Sequence, residues 1–108
     1  MDFDPEILEQ ELLYSDDVLL YFRSKLDEGI LKCFHMIAEA SGPFGLLRTK
    51  IPDFNKNRRQ YDIGFTILEA QGFIYAEEFG NTRPYFLTIR GKQLQELLKK
   101  EEKKLKTD

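Results

Sequence analysis

The sequence predicts a mostly helical domain that carries one small β-hairpin. Apolar residues recur at helical spacing over most of the 108-residue chain. The stretch from Phe73 to Ile89 instead places β-branched and aromatic residues on both sides of Gly80-Asn81, a pair typical of tight turns. A hydrophobic content of 42%, with nine Phe and five Tyr, is enough to build one core without a disulfide. We therefore expect a single α+β domain.

The N-terminal segment predicts a short amphipathic helix over about residues 5 to 14. Asp4 can accept a hydrogen bond from a free amide of the first turn, and Pro5 suits the first helical position. The apolar residues that follow share one helical face: Ile7, Leu8 and Leu12.

Residues 15 to 40 contain two apolar helical stripes. Ser15 can cap the first stripe, which consists of Val18, Leu19, Phe22 and Leu26. The second stripe stops at Ser41-Gly42-Pro43 and consists of Ile30, Leu31, Phe34, Ile37 and Ala38. Asp27 and Gly29 can either break the helix or be absorbed into it, so the pattern leaves open one bent helix or two.

The next stretch predicts a short helix, a turn and a long helix. Pro52 limits residues 44 to 51 to at most about two helical turns, and Pro52-Asp53-Phe54-Asn55 has turn composition. Asn55 is a suitable N-cap for a helix over about residues 55 to 71, and Gly72 can supply the left-handed residue that ends it. The inner stripe of this helix is Tyr61, Phe65 and Leu68, with Ile67 at its margin.

A hairpin and a last helix complete the chain. The strands are predicted at Phe73-Ile74-Tyr75 and at Tyr85 to Ile89, both rich in β-forming residues. The hydroxyl of Thr88, or that of a neighbour, can cap a helix that starts near Gly91. That helix has an apolar stripe of Leu94, Leu97 and Leu98, and it runs into a tail of Lys and Glu.

Charge divides the chain more clearly than the total of −3 indicates. From Met1 to Pro43, ten acidic residues face three basic ones, which gives −7. From Phe44 to Thr66, the basic segment, two acidic residues face five basic ones: Arg48, Lys50, Lys56, Arg58 and Arg59. An acidic half beside a basic segment predicts two surfaces with different partners. Any nucleic-acid role must therefore use the basic segment rather than bulk charge.

The order of elements resembles that of a winged helix-turn-helix domain. The junction of the family's recognition helix and wing, Leu-Glu-x-x-Gly-Leu-Ile, is similar to Leu68-Glu69-Ala70-Gln71-Gly72-Phe73-Ile74. The returning wing strand of MarR-like and PadR-like regulators, Arg-x-Tyr-x-Leu-Thr-x-x-Gly, is similar to Arg83-Pro84-Tyr85-Phe86-Leu87-Thr88-Ile89-Arg90-Gly91. Gly42-Pro43-Phe44-Gly45 is similar to the PadR entry to the second helix, and the resemblance covers roughly residues 28 to 98.

The resemblance implies a small transcriptional regulator in three parts. These are an N-terminal helical extension (1–26), a winged helix-turn-helix core (27–91) and a C-terminal helix with a charged tail (92–108). A recognition helix of about residues 55–71 would enter the major groove of double-stranded DNA, with a wing of about residues 73–90 beside it. The residues implied to contact DNA are Arg48, Lys50, Lys56, Asn57, Arg58, Arg59, Gln60 and Arg83.

Two features favour a different use of the same fold. Asp62 and Ile63 fall where relatives commonly place Thr, Ser or Arg. A carboxylate there repels phosphate unless it accepts from a cytosine amine or pairs with Arg58 or Arg59. Glu77 and Glu78 leave Arg83 as the only base at the tip of the wing. The alternative is therefore a winged-helix module that binds another protein and not DNA.

The terminal helices carry more apolar residues than a small winged helix needs. They can wrap the domain and complete its core, or they can build a two-fold homodimer. The dimer would place two recognition helices about one DNA turn apart on a palindromic site. The residues implicated in dimerisation are Ile7, Leu8, Leu12, Leu19, Phe22, Leu94, Leu97 and Leu98.

Several function classes lack their sequence signatures. There is no nucleophile elbow, glycine-rich phosphate loop or zinc-ligand spacing, so we expect no enzymatic activity, cofactor or metal. Cys33 and His35 lie two positions apart, on different faces of a helix, which does not suit a metal site or a catalytic dyad. The longest apolar run, Val18 to Phe22, is far shorter than the roughly 20 residues of a membrane span, and the N-terminus lacks a secretory pattern. We expect a cytoplasmic protein, and the sequence does not indicate whether a small-molecule effector binds.

Overall fold

The computed structural model describes residues 12–40 and 44–106, with the side chain of Lys106 left aside. Within these ranges the chain is mostly helical and has one two-stranded antiparallel sheet, as the sequence predicts. The elements in chain order are α1 (Asp16–Ser24), α2 (Glu28–Glu39), a 3-10 helix (Arg48–Lys50), α3 (Arg58–Ala70), β1 (Ile74–Ala76), β2 (Tyr85–Leu87) and α4 (Ile89–Lys106).

The stretch from residue 15 to residue 40 forms two helices, which resolves the open alternative. The Ser15 hydroxyl accepts a hydrogen bond from the Val18 amide at 3.4 Å, so its predicted capping role is confirmed. Asp27 starts α2 in the same way, because its carboxylate accepts from the Ile30 amide at 2.8 Å. The chain therefore breaks at Asp27 rather than bending there.

Most of the first predicted helix lies outside the described residues, since these begin at Leu12. The last predicted positions, 12 to 14, are not helical, so the predicted end near residue 14 is wrong. The reason is long-range, because the backbone of Tyr14 pairs with the side-chain amide of Gln93. The Tyr14 N–H donates to Gln93 Oε1 at 2.9 Å, and Gln93 Nε2 donates to the Tyr14 carbonyl at 3.0 Å. The predicted stop at Ser41-Gly42-Pro43 also lies outside the described residues.

Helices α2 and α3 pack closely and form the centre of the core. A Cβ atom at Gly64 would stand 2.6 Å from Cys33 Sγ, so the helices can approach this closely only at a residue without a side chain. The inner stripe predicted for α3 is confirmed, because all three of its members are buried. The largest fully buried side chains include Phe34, Phe65, Phe73, Ile37 and Leu94.

Helix α3 begins at Arg58, so the prediction of Asn55 as its N-cap is wrong. Asn57 occupies the cap position, but its side chain makes no capping bond there. Instead Asn57 Nδ2 donates to Asp53 Oδ2 at 3.1 Å, and the Asn57 amide donates to the Asp53 carbonyl at 3.2 Å. These bonds hold the chain in turns before the helix begins.

The hairpin confirms that two strands flank the predicted turn, although the second strand ends at Leu87 and the prediction that it extends to Ile89 is wrong, because Ile89 begins the last helix. Its register pairs Ile74 with Leu87 and Ala76 with Tyr85. Gly72 reverses the chain after α3 with φ +82°, the left-handed conformation predicted for it. Leu46 forms an isolated antiparallel β-bridge with β2, since its backbone exchanges two 2.9 Å hydrogen bonds with Tyr85.

Helix α4 starts at Ile89, two residues before the predicted start near Gly91. The predicted cap is confirmed, because the Thr88 hydroxyl accepts from the Gly91 amide at 3.0 Å. The same hydroxyl donates to the Gly72 carbonyl at 2.6 Å, which ties the start of α4 to the end of α3.

The residues predicted for dimerisation divide into three groups. Leu19 and Leu94 lie in the core of the chain itself, so assigning them to a partner contact is wrong. Phe22, Leu97 and Leu98 are partly buried against that core, and Leu12 is exposed. Ile7 and Leu8 lie outside the described residues.

Candidate nucleic-acid interface

The outward face of α3 carries the candidate interface. Tyr61, Gly64, Phe65 and Leu68 are buried on the opposite face, which fixes how the helix is turned. Arg59, Ile63 and Thr66 follow one another at helical spacing on the solvent side, and all three are exposed. The packing of α3 against α2 thus presents a defined row of side chains to a ligand.

Most of the predicted DNA-contacting residues lie at or just before the first turn of α3. Arg58, Arg59 and Gln60 are exposed on the helix itself. Lys50 and Lys56 are exposed on the segment before it, and Asn57 is half-buried. Among the described residues, Arg59, Lys50 and Lys56 form no ion pair, so their charges face solvent.

Arg48 has a structural role that the sequence did not indicate. Its guanidinium donates to the Tyr85 hydroxyl at 2.5 Å and lies 5.4 Å from the centre of that ring. It also donates to Asp62 Oδ1 at 3.3 Å. Arg48 therefore joins the 3-10 helix to β2 and α3, and it is half-buried rather than fully available to phosphate.

Asp62 is paired with two arginines, which was one of the predicted ways to offset its repulsion of phosphate. Its carboxylate lies 3.3 Å from Arg48 Nη1 and 3.8 Å from Arg58 Nε. Each pair is partly exposed, so each is worth at most about 1 kcal/mol of stability. These ion pairs matter more for the charge of the surface. They neutralise the Asp62 carboxylate beside the basic residues of the first turn of α3.

The hairpin carries little positive charge. Arg83 lies 3.9 Å from Glu69 on α3, so this base of the hairpin is itself paired. Phe79 is 53% exposed at the tip, directly after Glu77 and Glu78. The hairpin is therefore a less favourable surface for phosphate than α3 is.

A second polar cluster holds the start of α3 and was not predicted. The Tyr61 hydroxyl donates to Asp53 Oδ1 at 2.5 Å, and Lys32 Nζ lies 3.9 Å from Asp53 Oδ2. The hydrogen bond from Tyr61 lowers the pKa of the Asp53 carboxyl, and the same bond raises the pKa of Tyr61. Tyr61 was predicted only as a core residue, since nothing local to the sequence indicates its polar partner.

A buried arginine at the other end of α3 was also missed. Arg90 is 4% exposed, and it donates from Nε to the Gly72 carbonyl at 3.0 Å and from Nη1 to the Leu12 carbonyl at 2.9 Å. Its guanidinium lies over the Tyr14 ring at 5.7 Å, and the Tyr14 hydroxyl donates to the Gln71 carbonyl at 2.6 Å. This arginine joins the N-terminal segment to the junction of α3 and β1.

The chemistry of the remaining reactive groups gives no second site. Burial raises the pKa of the Cys33 thiol to about 11, so the thiol stays protonated and poorly nucleophilic. Across residues 12–40 and 44–106, no three metal-binding side chains come together. In the same part of the chain, no helix combines the length and apolar character needed to cross a membrane.

Comparison with known proteins gives no relative for this chain. No protein-family model, no curated protein and no solved structure matches it. Its function must therefore be inferred from the geometry and charge of the α3 face.

Proposed function

We propose that this chain is a winged helix-turn-helix protein that binds double-stranded DNA through α3 and acts as a small transcriptional regulator. The observation that carries the proposal is the exposed first turn of α3. Arg58, Arg59 and Gln60 stand there beside the exposed Lys50 and Lys56. Bases and an amide at the start of an outward-facing helix are the groups that contact phosphates and base edges.

The dimensions and order of the elements support this role. An α-helix is about 10–12 Å wide with its side chains, which matches the major groove of B-DNA. In the proposed complex α3 lies in the major groove, and the hairpin lies beside the adjacent backbone. The hairpin contributes little, because Arg83 is paired with Glu69.

The charge of the surface supports the proposal as well. The basic segment carries +3, and both of its carboxylates already have partners: Asp53 with Tyr61 and Lys32, and Asp62 with Arg48 and Arg58. The bases that form no pair among the described residues remain to attract phosphate. This attraction depends on ionic strength.

A homodimer is part of the proposal, and of the residues predicted for its contact Leu12 lies exposed. The exposed apolar residues of the terminal elements include Leu12, Leu13, Leu20 and Tyr21 near the N-terminus and Leu105 near the end of α4. A two-fold contact through these residues would present two α3 helices to one face of DNA.

The test is a fluorescence anisotropy titration of a labelled mixed-sequence duplex with the intact chain. We expect binding at low salt and about a tenfold loss of affinity in Arg58→Ala/Arg59→Ala. The matched control is Lys99→Ala/Lys100→Ala on α4, which removes the same charge away from α3 and leaves affinity nearly unchanged. Equal losses in both variants, or no binding at low salt, would contradict the proposal.

A second candidate is a protein-binding module, and one feature favours it. A groove of about 750 Å³ runs between α2 and α4, and its apolar lining includes Leu31, Phe34, Leu98 and Leu105. Apolar grooves of this kind commonly accept a helix or a peptide. If the chain binds no duplex even at low salt, this groove becomes the better candidate site.

A further inference from the structure

The centre of the α3 face is apolar, whereas its start is cationic. Ile63 is 49% exposed, with the exposed Arg59 one turn before it and the exposed Thr66 about one turn after it. A shallow depression of about 530 Å³ surrounds it, lined by Arg58, Arg59, Asp62, Ile63, Thr66 and Ile67. The face therefore combines guanidinium groups at its edge with aliphatic carbon at its centre.

Ile63 does not serve the core. The buried residues of α3 lie on its opposite side, and the closest approach to α2 is at Gly64. A β-branched residue is also a poorer helix former than Ala or the long polar residues. Neither packing nor helix propensity explains an isoleucine at this exposed position.

The polar groups around Ile63 leave little capacity for hydrogen bonds to bases. Asp62, the one carboxylate in the depression, already faces Arg48 and Arg58 at 3.3 and 3.8 Å, so part of its capacity to accept from a cytosine amine is taken. Beyond Arg59, the outward positions 63, 66 and 70 offer two aliphatic side chains and one short hydroxyl.

We propose that Ile63 and the methyl group of Thr66 contact the C5-methyl groups of thymine in the major groove. This inference rests on the proposed function, and it names the sequence feature that the α3 face selects. Thymine is the only base with a methyl group on the floor of the major groove, and apolar side chains discriminate it by that group. The arginines at the edge then hold phosphate or guanine nearby.

Helix geometry sets the expected spacing. Arg59 and Ile63 are separated by about 6 Å along the helix axis, and Ile63 and Thr66 by about 4.5 Å. Base pairs rise by about 3.4 Å along DNA. With α3 lying along the groove, the selected thymine falls about two base pairs from the position that Arg59 contacts.

The experiment isolates the methyl group by exchanging thymine for uracil. Duplexes enriched by the intact chain from a randomised pool are synthesised twice, once with thymine and once with uracil, which differ only in the C5-methyl group. Anisotropy then gives the affinity of each duplex for the wild type, for Ile63→Ala and for the control Val18→Ala. Val18 is an exposed β-branched residue on α1, away from the α3 face.

We expect the wild type and Val18→Ala to bind the thymine duplex about fourfold more tightly for each methyl group contacted, which corresponds to about 0.8 kcal/mol. Ile63→Ala should lose the fourfold step that Ile63 contributes and keep only that of Thr66. Its thermal midpoint should stay unchanged, since alanine at an exposed helix position does not destabilise the helix.

The outcomes separate this inference from the proposed function. Equal binding of thymine and uracil duplexes by the wild type would overturn the thymine contact and leave DNA binding intact. An undiminished preference for thymine in Ile63→Ala would also overturn it, because Ile63 would then make no contact with a methyl group. No binding to any duplex at low salt would overturn both.

Discussion

Arg59 and Arg90 lie near opposite ends of α3 and have opposite environments. Arg59 stands on the outward face of α3, exposed and without an ion pair among the described residues. Arg90 is buried behind the end of α3 and donates to two backbone carbonyls, those of Gly72 and Leu12. The same side chain thus holds the fold together in one place and offers charge to a ligand in the other. Burial and partners decide its role, whereas residue type does not.

Arg90→Ala should produce the largest effect and should act on stability. The substitution removes hydrogen bonds from a charged donor in the interior, one of which holds the segment at Leu12. We expect a loss of about 3 kcal/mol in the free energy of unfolding, measured by urea denaturation. Arg59→Ala is the matched comparison and should change stability by less than about 0.5 kcal/mol. Equal stability of the two variants would show that the two arginines do not differ in role.

Asp62→Asn should produce a smaller effect, and one of opposite sign, on DNA binding. The change releases Arg48 and Arg58 from the carboxylate and removes one negative charge from the α3 face. We expect duplex affinity to rise about threefold at low salt, and the gain to shrink as salt increases. Anisotropy at two salt concentrations measures it. A fall in affinity would mean that Asp62 itself contacts the nucleic acid.

Tyr61→Phe should produce the smallest effect, a loss of stability that is present at neutral pH and disappears in acid. The pKa of Asp53 is lowered from its ordinary value of 3.8 by the Tyr61 hydroxyl, so this contact stabilises the fold above that pH. The contribution is lost as pH falls through the lowered pKa, because the carboxyl then becomes protonated. Urea midpoints between about pH 2 and pH 5 should therefore fall less steeply in Tyr61→Phe than in the wild type. Identical slopes would contradict a role for this bond.

The local chemistry of the sequence predicts many of the helix and strand boundaries. Ser15, Gly72 and Thr88 lie where the structure needs a cap or a left-handed turn, and each acts through atoms no more than a few residues away. The predicted start of α3 was wrong. The observed start depends on the bond between Asp53 and Tyr61 and on the contact of Asp53 with Asn57. No propensity at Asn55 indicates those partners.

In the candidate site, too, local features could be predicted from the sequence and long-range contacts could not. The exposure of Arg58, Arg59 and Gln60 follows from the buried stripe of α3, which the periodicity of the sequence predicts. The partners of Arg48 and Arg90 could not be predicted, because Tyr85 and Leu12 are 37 and 78 positions away from them. Leu19 and Leu94 were assigned to a partner for a related reason. An apolar stripe does not reveal whether it faces its own core or another chain.

The salt dependence of duplex binding tests the central claim most directly. For the wild type, the logarithm of affinity should fall linearly with the logarithm of salt concentration, since each phosphate contact releases counterions. The slope for Arg58→Ala/Arg59→Ala should be shallower by about two, whereas that for Lys99→Ala/Lys100→Ala should match the wild type. Parallel lines for all three proteins, or a wild-type affinity that does not vary with salt, would contradict the assignment of α3 as the DNA-binding surface.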